Sequence, residues 1–370
     1  MTAEVGVGVA GWGAAGRLMA AALGRSDRFR LAGIADRDPA SRDAARRDAE
    51  VPAYQRVEDL VAAPGVDVLY VATPTAHHAE AIVAAAAAGV DVVCEKPAAR
   101  TVAEAMFAVQ TAADAGVQLL VGASHSYDAP VRALREVVEC GRLGALTSVE
   151  SSCHTDWHRR PRTSADLDAT MGNGLVLRQG AHQFDVLRLV CGGAARSVSG
   201  LTFGGAGGAE RGFAAHLRFA DGIVASAYYH GGGGFDSRLT TWGVGELGTV
   251  ELEPAPPLAD FFALPGSAAA PPVTPTFGRT TATFDSGGAV VTATGLLVFD
   301  ERGVDVVDVT DRPSGWDAVL VELADVLDGA APVHDGAWAV ATLEVCIAIH
   351  RSAATGAPVE LRHQIALSHE

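Results

Sequence analysis

Val5-Gly6-Val7-Gly8-Val9-Ala10-Gly11-Trp12-Gly13-Ala14-Ala15-Gly16 is the stretch on which the fold turns. Val5 to Ala10 reads as a short apolar strand, and Ala14 to Leu23 as a helix, so the GxGxxG pattern of Gly11 to Gly16 sits at a strand-to-helix junction. The first glycine permits a tight turn, the second lets backbone approach a pyrophosphate, and the third allows close helix–strand packing. The helix N-terminus adds unpaired N–H groups for the anion. A second strand, Phe29 to Ala35, ends at Asp36, twenty residues past Gly16. A carboxylate there accepts hydrogen bonds from ribose hydroxyls and favours NAD, while Arg37 beside it leaves a 2′-phosphate, and so NADP, open.

Outward from this unit the strand–helix alternation continues. A helix is expected over Pro39 to Ala49, a strand over Val66 to Ala72, a helix over Ala76 to Ala88 and a strand over Val90 to Cys94. A helix over Val102 to Ala115 and a strand over Val117 to Val121 follow. Such a run predicts a doubly wound parallel sheet with helices on both faces. The pattern changes near residue 123. A helix over Pro130 to Cys140 stops at Gly141, and a strand over Ala145 to Cys153 follows. Between residues 197 and 310 short β-type runs, such as Phe213 to Phe219, Ile223 to Tyr229 and Thr249 to Leu252, alternate with Gly and Pro clusters. Gly204 to Gly208 and Gly231 to Gly234 read as turns, and Pro265 to Pro275 as an irregular insertion. Helices over Trp316 to Leu327 and Gly336 to Ser352 precede a last strand, Val359 to Leu361. The expected class is α/β: an N-terminal Rossmann domain over 1–123 and an α+β domain with a large, mostly antiparallel sheet over 124–370.

Composition narrows the function. A net charge of −16 with no basic run argues against nucleic acid. No apolar stretch of about 20 residues is present to span a bilayer, and no basic leader precedes the first apolar run, so the cytoplasm is expected. Five widely spaced cysteines without a CxxC pair read as reduced. Against 27 arginines stands one lysine, Lys96. An amine changes protonation state near neutral pH when desolvated, whereas a guanidinium does not, so this lysine marks chemistry.

Lys96 lies in Cys94-Glu95-Lys96-Pro97, at the carboxyl edge of the predicted sheet, where nucleotides bind. Ala72-Thr73-Pro74-Thr75-Ala76-His77-His78 ends the preceding strand at the same edge, and Thr73, Pro74, His78, Glu95 and Lys96 are expected to line a cofactor, with His77 packing locally. An ammonium at Lys96 would hydrogen-bond a substrate hydroxyl and lower its pKa as hydride leaves. His182 and Asp185, three apart on a predicted helix, share a face on which the carboxylate would orient the imidazole.

These elements together resemble the glucose-fructose oxidoreductase and inositol dehydrogenase family, Gfo/Idh/MocA, over nearly the whole chain. The marks are Gly11 to Gly16, Thr73-Pro74 to His78, Glu95-Lys96-Pro97, Gly180-x-His182-x-x-Asp185 and Ile349-His350-Arg351-Ser352 to Gly356. The resemblance implies a catalytic centre at Lys96, His182 and Asp185, with histidine moving the proton, and a homodimer or homotetramer formed through the open sheet of the second domain. Two features depart from the family pattern. Arg178 and Gln179 stand where an acidic or amide residue is frequent, and Ser124-His125-Ser126-Tyr127 replaces a frequent Asn and Arg. With Arg159, Arg160 and Arg162, these suggest an anionic substrate held by bidentate guanidinium contacts. The set resembles the phthalate dihydrodiol dehydrogenase branch, which implies oxidation of a carboxylated cis-dihydrodiol to the catechol with NAD(P). His125, Arg160, Arg162, Arg178, Gln179 and His182 are the expected substrate contacts. His154, Asp156 and His158 lack a convincing third ligand, and no metal is expected. A sugar or polyol dehydrogenase, a ketoreductase, and a nucleotide-binding sensor without turnover are the alternatives.

Overall fold

The computed structural model describes residues 4–122, 124–159, 167–168, 174–204, 210–233, 237, 244 and 277–367. They form two compact units. The first opens with β1 (Val5–Ala10), α1 (Ala14–Leu23), β2 (Phe29–Ala35), α2 (Pro39–Asp48), β3 (Ala53–Tyr54) and α3 (Val57–Val61). It continues with β4 (Val68–Val71), α4 (His78–Ala87), β5 (Asp91–Cys94), α5 (Val102–Asp114) and β6 (Leu119–Val121). The sheet is parallel throughout, in the order β3-β2-β1-β4-β5-β6, which is that of a doubly wound dinucleotide-binding fold. Its strands are apolar and buried because helices cover both faces: Val9, Ile34, Val68, Leu69, Val71 and Val92 are fully buried. The short β3 and α3 carry too few residues for a periodic signal and were not predicted. The helix expected from Ala76 begins instead as a 3₁₀ turn, Thr75–His77, after Pro74, and becomes α-helical at His78.

The second unit contains α6 (Ala129–Cys140), β7 (Leu146–His154), α7 (Ala181–Val190), β8 (Ala195–Phe203), β9 (Gly212–Phe219) and β10 (Val224–His230). Four hairpin strands follow: β11 (Arg279–Phe284), β12 (Gly287–Val291), β13 (Gly295–Asp300) and β14 (Gly303–Asp308). After α8 (Gly315–Leu327) and α9 (Gly336–Thr355), β15 (Val359–Glu360) closes a nine-stranded sheet ordered β14-β13-β12-β11-β7-β10-β9-β8-β15. Only the β7–β10 pair is parallel. Period-2 alternation buries Val149, Ser151, Cys153, Ala225, Ala227 and Tyr229 on one face. The Gln183 amide of α7 pins that helix to the face by donating to the Ser151 carbonyl and hydroxyl, both at 2.9 Å. The predicted Thr249 to Leu252 strand and the Pro265 to Pro275 insertion lie outside the described residues.

The continuous second domain expected over 124–370 is corrected. Trp316–Leu343 belongs with the first unit. The Trp316 indole donates to the Tyr70 hydroxyl at 2.9 Å, the His334 carbonyl accepts from Val121 N at 2.8 Å, and Ala339 joins the first unit's buried core.

Candidate active site

In the first unit the candidate residues gather at the carboxyl ends of β1, β2, β4 and β5, as strand order requires. Gly11 holds φ +98°, a left-handed conformation, and an added Cβ would lie 2.5 Å from the Ala72 carbonyl oxygen. At Gly16 it would lie 2.0 Å from the Gly11 carbonyl oxygen, whereas at Gly13 it would meet nothing within 4 Å. The turn is therefore closed on its inner side and open at Gly13, which starts α1 without a side-chain cap. Asp36 fixes the turn: its carboxylate accepts from Trp12 N at 2.8 Å and from Asp38 N at 2.9 Å. The Arg37 guanidinium is exposed and lies 3.4 Å from His77 Nε2. Trp12 Nε1 and Thr73 Oγ1 are buried without a hydrogen-bond partner. Orphaned donors beside an open glycine and a helix N-terminus fit a dinucleotide, whose pyrophosphate Gly13 to Gly16 would accept and whose ribose Asp36 would hold.

Two residues expected to line the cofactor have internal tasks. His78 is buried, with Nδ1 2.8 Å from the Pro97 carbonyl oxygen and Nε2 2.7 Å from that of Thr73. It ties together the loops after β4 and β5. Glu95 accepts from the buried Tyr70 hydroxyl at 2.5 Å. Burial and the Glu95 carboxylate push the Tyr70 phenol well above its ordinary value, so it stays a donor and anchors the segment that carries half-buried Lys96.

In the second unit a π-helical turn, Val176–Gly180, leads into α7. Gly180 is required there, because a Cβ would lie 2.9 Å from the Phe184 ring and 3.2 Å from the Phe213 ring. Arg178 and the buried Gln179 lie on this turn, His182 and Asp185 one turn further on. Asp185 Oδ2 accepts from the Ser126 hydroxyl, which ties α7 to the 3₁₀ turn His125–Tyr127. The same turn brings His125 against His182, with ring centroids 4.9 Å apart at 61°. Phe277 packs on both, 4.7 Å from His125 and 5.3 Å from His182. His125 Nδ1 lies 2.6 Å from Asp128 Oδ2. Sequence reasoning missed Asp128, Ser126 and Phe277. The His125-x-x-Asp128 spacing was available as a signal, but nothing local announces Phe277.

Arg160 and Arg162 lie outside the described residues. Arg159 is exposed, and His158 Nε2 is 2.8 Å from the Glu210 carbonyl oxygen. Among the described residues no group of three or more His, Cys, Asp or Glu side chains is arranged to hold a metal ion. No disulfide joins the five cysteines, and no described helix is long and apolar enough to cross a membrane.

A parallel nucleotide-binding sheet and a second unit that sets imidazoles beside carboxylates define the class, a nicotinamide-dependent oxidoreductase. The oxidoreductase family with NAD-binding Rossmann fold matches residues 5–123, and the Gfo/Idh/MocA C-terminal domain matches 131–251. The chain belongs to the Gfo/Idh/MocA family, and is an NAD-binding oxidoreductase. It is 31% identical to 1-carboxy-3-chloro-3,4-dihydroxycyclohexa-1,5-diene dehydrogenase of Comamonas testosteroni, over 93% of each chain. A dehydrogenase-type protein of Bordetella bronchiseptica RB50 superposes with a TM-score of 0.87 at 29% identity, covering 97% of this chain and 100% of that one. The WlbA dehydrogenase of Bordetella pertussis, in complex with NADH and UDP-GlcNAcA, shares the fold with a TM-score of 0.75 at 21% identity, over 97% and 99% of the two chains.

Proposed function

We propose that this protein oxidises a carboxylated cyclic cis-dihydrodiol to the corresponding catechol with NAD. The observation that carries this reading is the likeness to the Comamonas diene dehydrogenase over 93% of both chains. Arg178 beside the α7 motif supports it, since guanidinium forks suit a carboxylate. NAD, when bound, supplies the hydride acceptor. The Lys96 ammonium donates to the reacting hydroxyl oxygen and lowers the cost of its negative charge. His182 takes the hydroxyl proton as the C–H bond gives up hydride and the C=O bond forms. The enone then tautomerises to the aromatic diol. Asp185, through Ser126, fixes the helix that presents His182. Arg160, Arg162 and Arg178 hold the carboxylate, with His125 and Gln179 lining the pocket.

In this reading the enzyme works in the cytoplasm as a homodimer or homotetramer, on an anionic small molecule. The exposed apolar residues Leu201, Val304 and Val306 of the second unit's sheet support self-association. The test follows absorbance of reduced nicotinamide with a carboxylated cis-dihydrodiol, its decarboxylated analogue and a polyol panel, with NAD and NADP in parallel. Turnover that falls at least about tenfold without the carboxylate is expected, from the loss of one charge-assisted contact. Equal rates on neutral polyols would overturn the substrate assignment.

A further inference from the structure

We propose that His125, held by Asp128, is a second proton-handling imidazole of the catalytic unit, with Asp128 as its positioning residue. The inference rests on the dehydrogenase reading of Lys96 and His182 and adds to it the path of the proton.

Asp128 directly precedes α6, where the helix macrodipole favours a negative charge. It is buried, at 2% exposure, and faces Nδ1 of His125, itself 8% exposed, at 2.6 Å. Burial pushes the Asp128 carboxyl up, while His125 and the Gly315 backbone N–H, the partners that favour the ionised form, pull against it. An ionised carboxylate only accepts hydrogen bonds, so the Nδ1 atom of His125 carries the hydrogen and Nε2 of the neutral ring presents a lone pair. Among the described residues Nε2 has no hydrogen-bond partner, and it is not among the buried atoms left without one. This is the arrangement of a general base whose tautomer is fixed from behind.

The ring does not stand alone. It meets the His182 ring at 4.9 Å, both pack on neutral Phe277, and Ser126 of the same turn is bonded to Asp185. The ionisable groups around it are therefore Asp128 at the start of α6 and His182 and Asp185 on α7. At this separation a positive charge on one imidazole disfavours a positive charge on the other. During oxidation the substrate O–H bond breaks and its proton forms a new N–H bond on this pair. The electron pair left on oxygen becomes the C=O bond as hydride departs to NAD. Asp128 then stabilises the resulting imidazolium and draws the proton toward His125, which returns His182 to its basic form.

The experiment compares wild type, Asp128→Asn and His125→Gln in NAD-dependent oxidation of a carboxylated cis-dihydrodiol across pH. The histidine ring ¹H–¹³C signals of the same proteins and of His182→Gln are titrated alongside. Asp128→Asn is expected to move the acid limb of kcat/KM about one pH unit lower, since the base loses its anionic partner. His125→Gln is expected to lower kcat roughly 100-fold. In the ring titrations, the His125 midpoint shifts in both Asp128→Asn and His182→Gln. An unmoved acid limb in Asp128→Asn, or a His125 titration indifferent to both substitutions, overturns the proposal. If wild type turns over none of the dihydrodiols, the substrate assignment fails while the ring titrations still decide the pair.

Discussion

Gly13→Ala and Gly16→Ala separate cofactor binding from folding. Gly13 sits at φ −78° and ψ −163°, which alanine adopts without strain, and its added Cβ meets nothing within 4 Å. Stability without cofactor is therefore expected to hold or to rise by about 0.4–1 kcal/mol, because alanine restricts the unfolded chain. The same methyl group projects where a pyrophosphate would approach. Losing one charge-assisted hydrogen bond there costs about 1.5–3 kcal/mol, or roughly 10- to 150-fold in Kd. At Gly16 the Cβ would lie 2.0 Å from the Gly11 carbonyl oxygen and 3.1 Å from the Val9 side chain. The obstructing atom is backbone and cannot rotate aside, so α1 must shift, at a cost of about 1–3 kcal/mol in stability. Urea denaturation followed by tryptophan fluorescence, and calorimetric titration with NAD, measure the two quantities. Wild-type NAD affinity in Gly13→Ala, or equal destabilisation by both substitutions, would refute the assignment of Gly13 as the open point of the turn.

Lys96→Arg keeps a positive charge but loses the compact ammonium, so kcat is expected to fall at least about 100-fold while the NAD Kd stays within about twofold, as read by stopped-flow and titration. Glu322 accepts from Val333 N and His334 N at 2.9 Å and pairs with buried His334 Nδ1 at 2.8 Å. Glu322→Ala leaves these groups unpaired and is expected to lower stability by about 3–5 kcal/mol, visible as a lower urea midpoint. Burial holds the Asp91 carboxyl above its ordinary range against the pull of the Gln118 N–H, so the folded state prefers the protonated acid. The stability this group contributes is present below its unfolded pKa, about 4, and is lost as pH rises through the folded value. Asp91→Asn keeps the Gln118 bond and is expected to raise Tm at pH 7, with the gain closing by about pH 4.

What was legible in the sequence was local. The Gly11 to Gly16 turn, Asp36 at the end of β2 and Lys96 after β5 are placed by short-range spacing and by strand–helix periodicity, and these signals survive without tertiary knowledge. His125 stood out only as a departure from a pattern, and its meaning came from Asp128, His182 and Phe277, the last 152 residues away in the chain. Neighbouring sequence likewise does not reveal that both nitrogens of His78 face backbone carbonyls. Helix spacing placed Asp185 beside His182, but nothing local in the sequence announces that the fold also brings the Ser126 hydroxyl to it. The hairpins β11 to β14 are short and glycine-rich, so their alternation was visible only as a general β character.

The return of Trp316–Leu343 to the first unit bears on biosynthesis. A chain leaving the ribosome completes all six parallel strands long before it offers the Trp316 indole to Tyr70 or the His334 carbonyl to Val121. At about 5–20 residues per second, roughly 10–40 s separate β6 from the end of that segment. For that interval the nascent nucleotide-binding sheet carries an unpaired backbone donor at β6 and an uncovered patch around Tyr70. That window closes only when most of the second unit has also emerged.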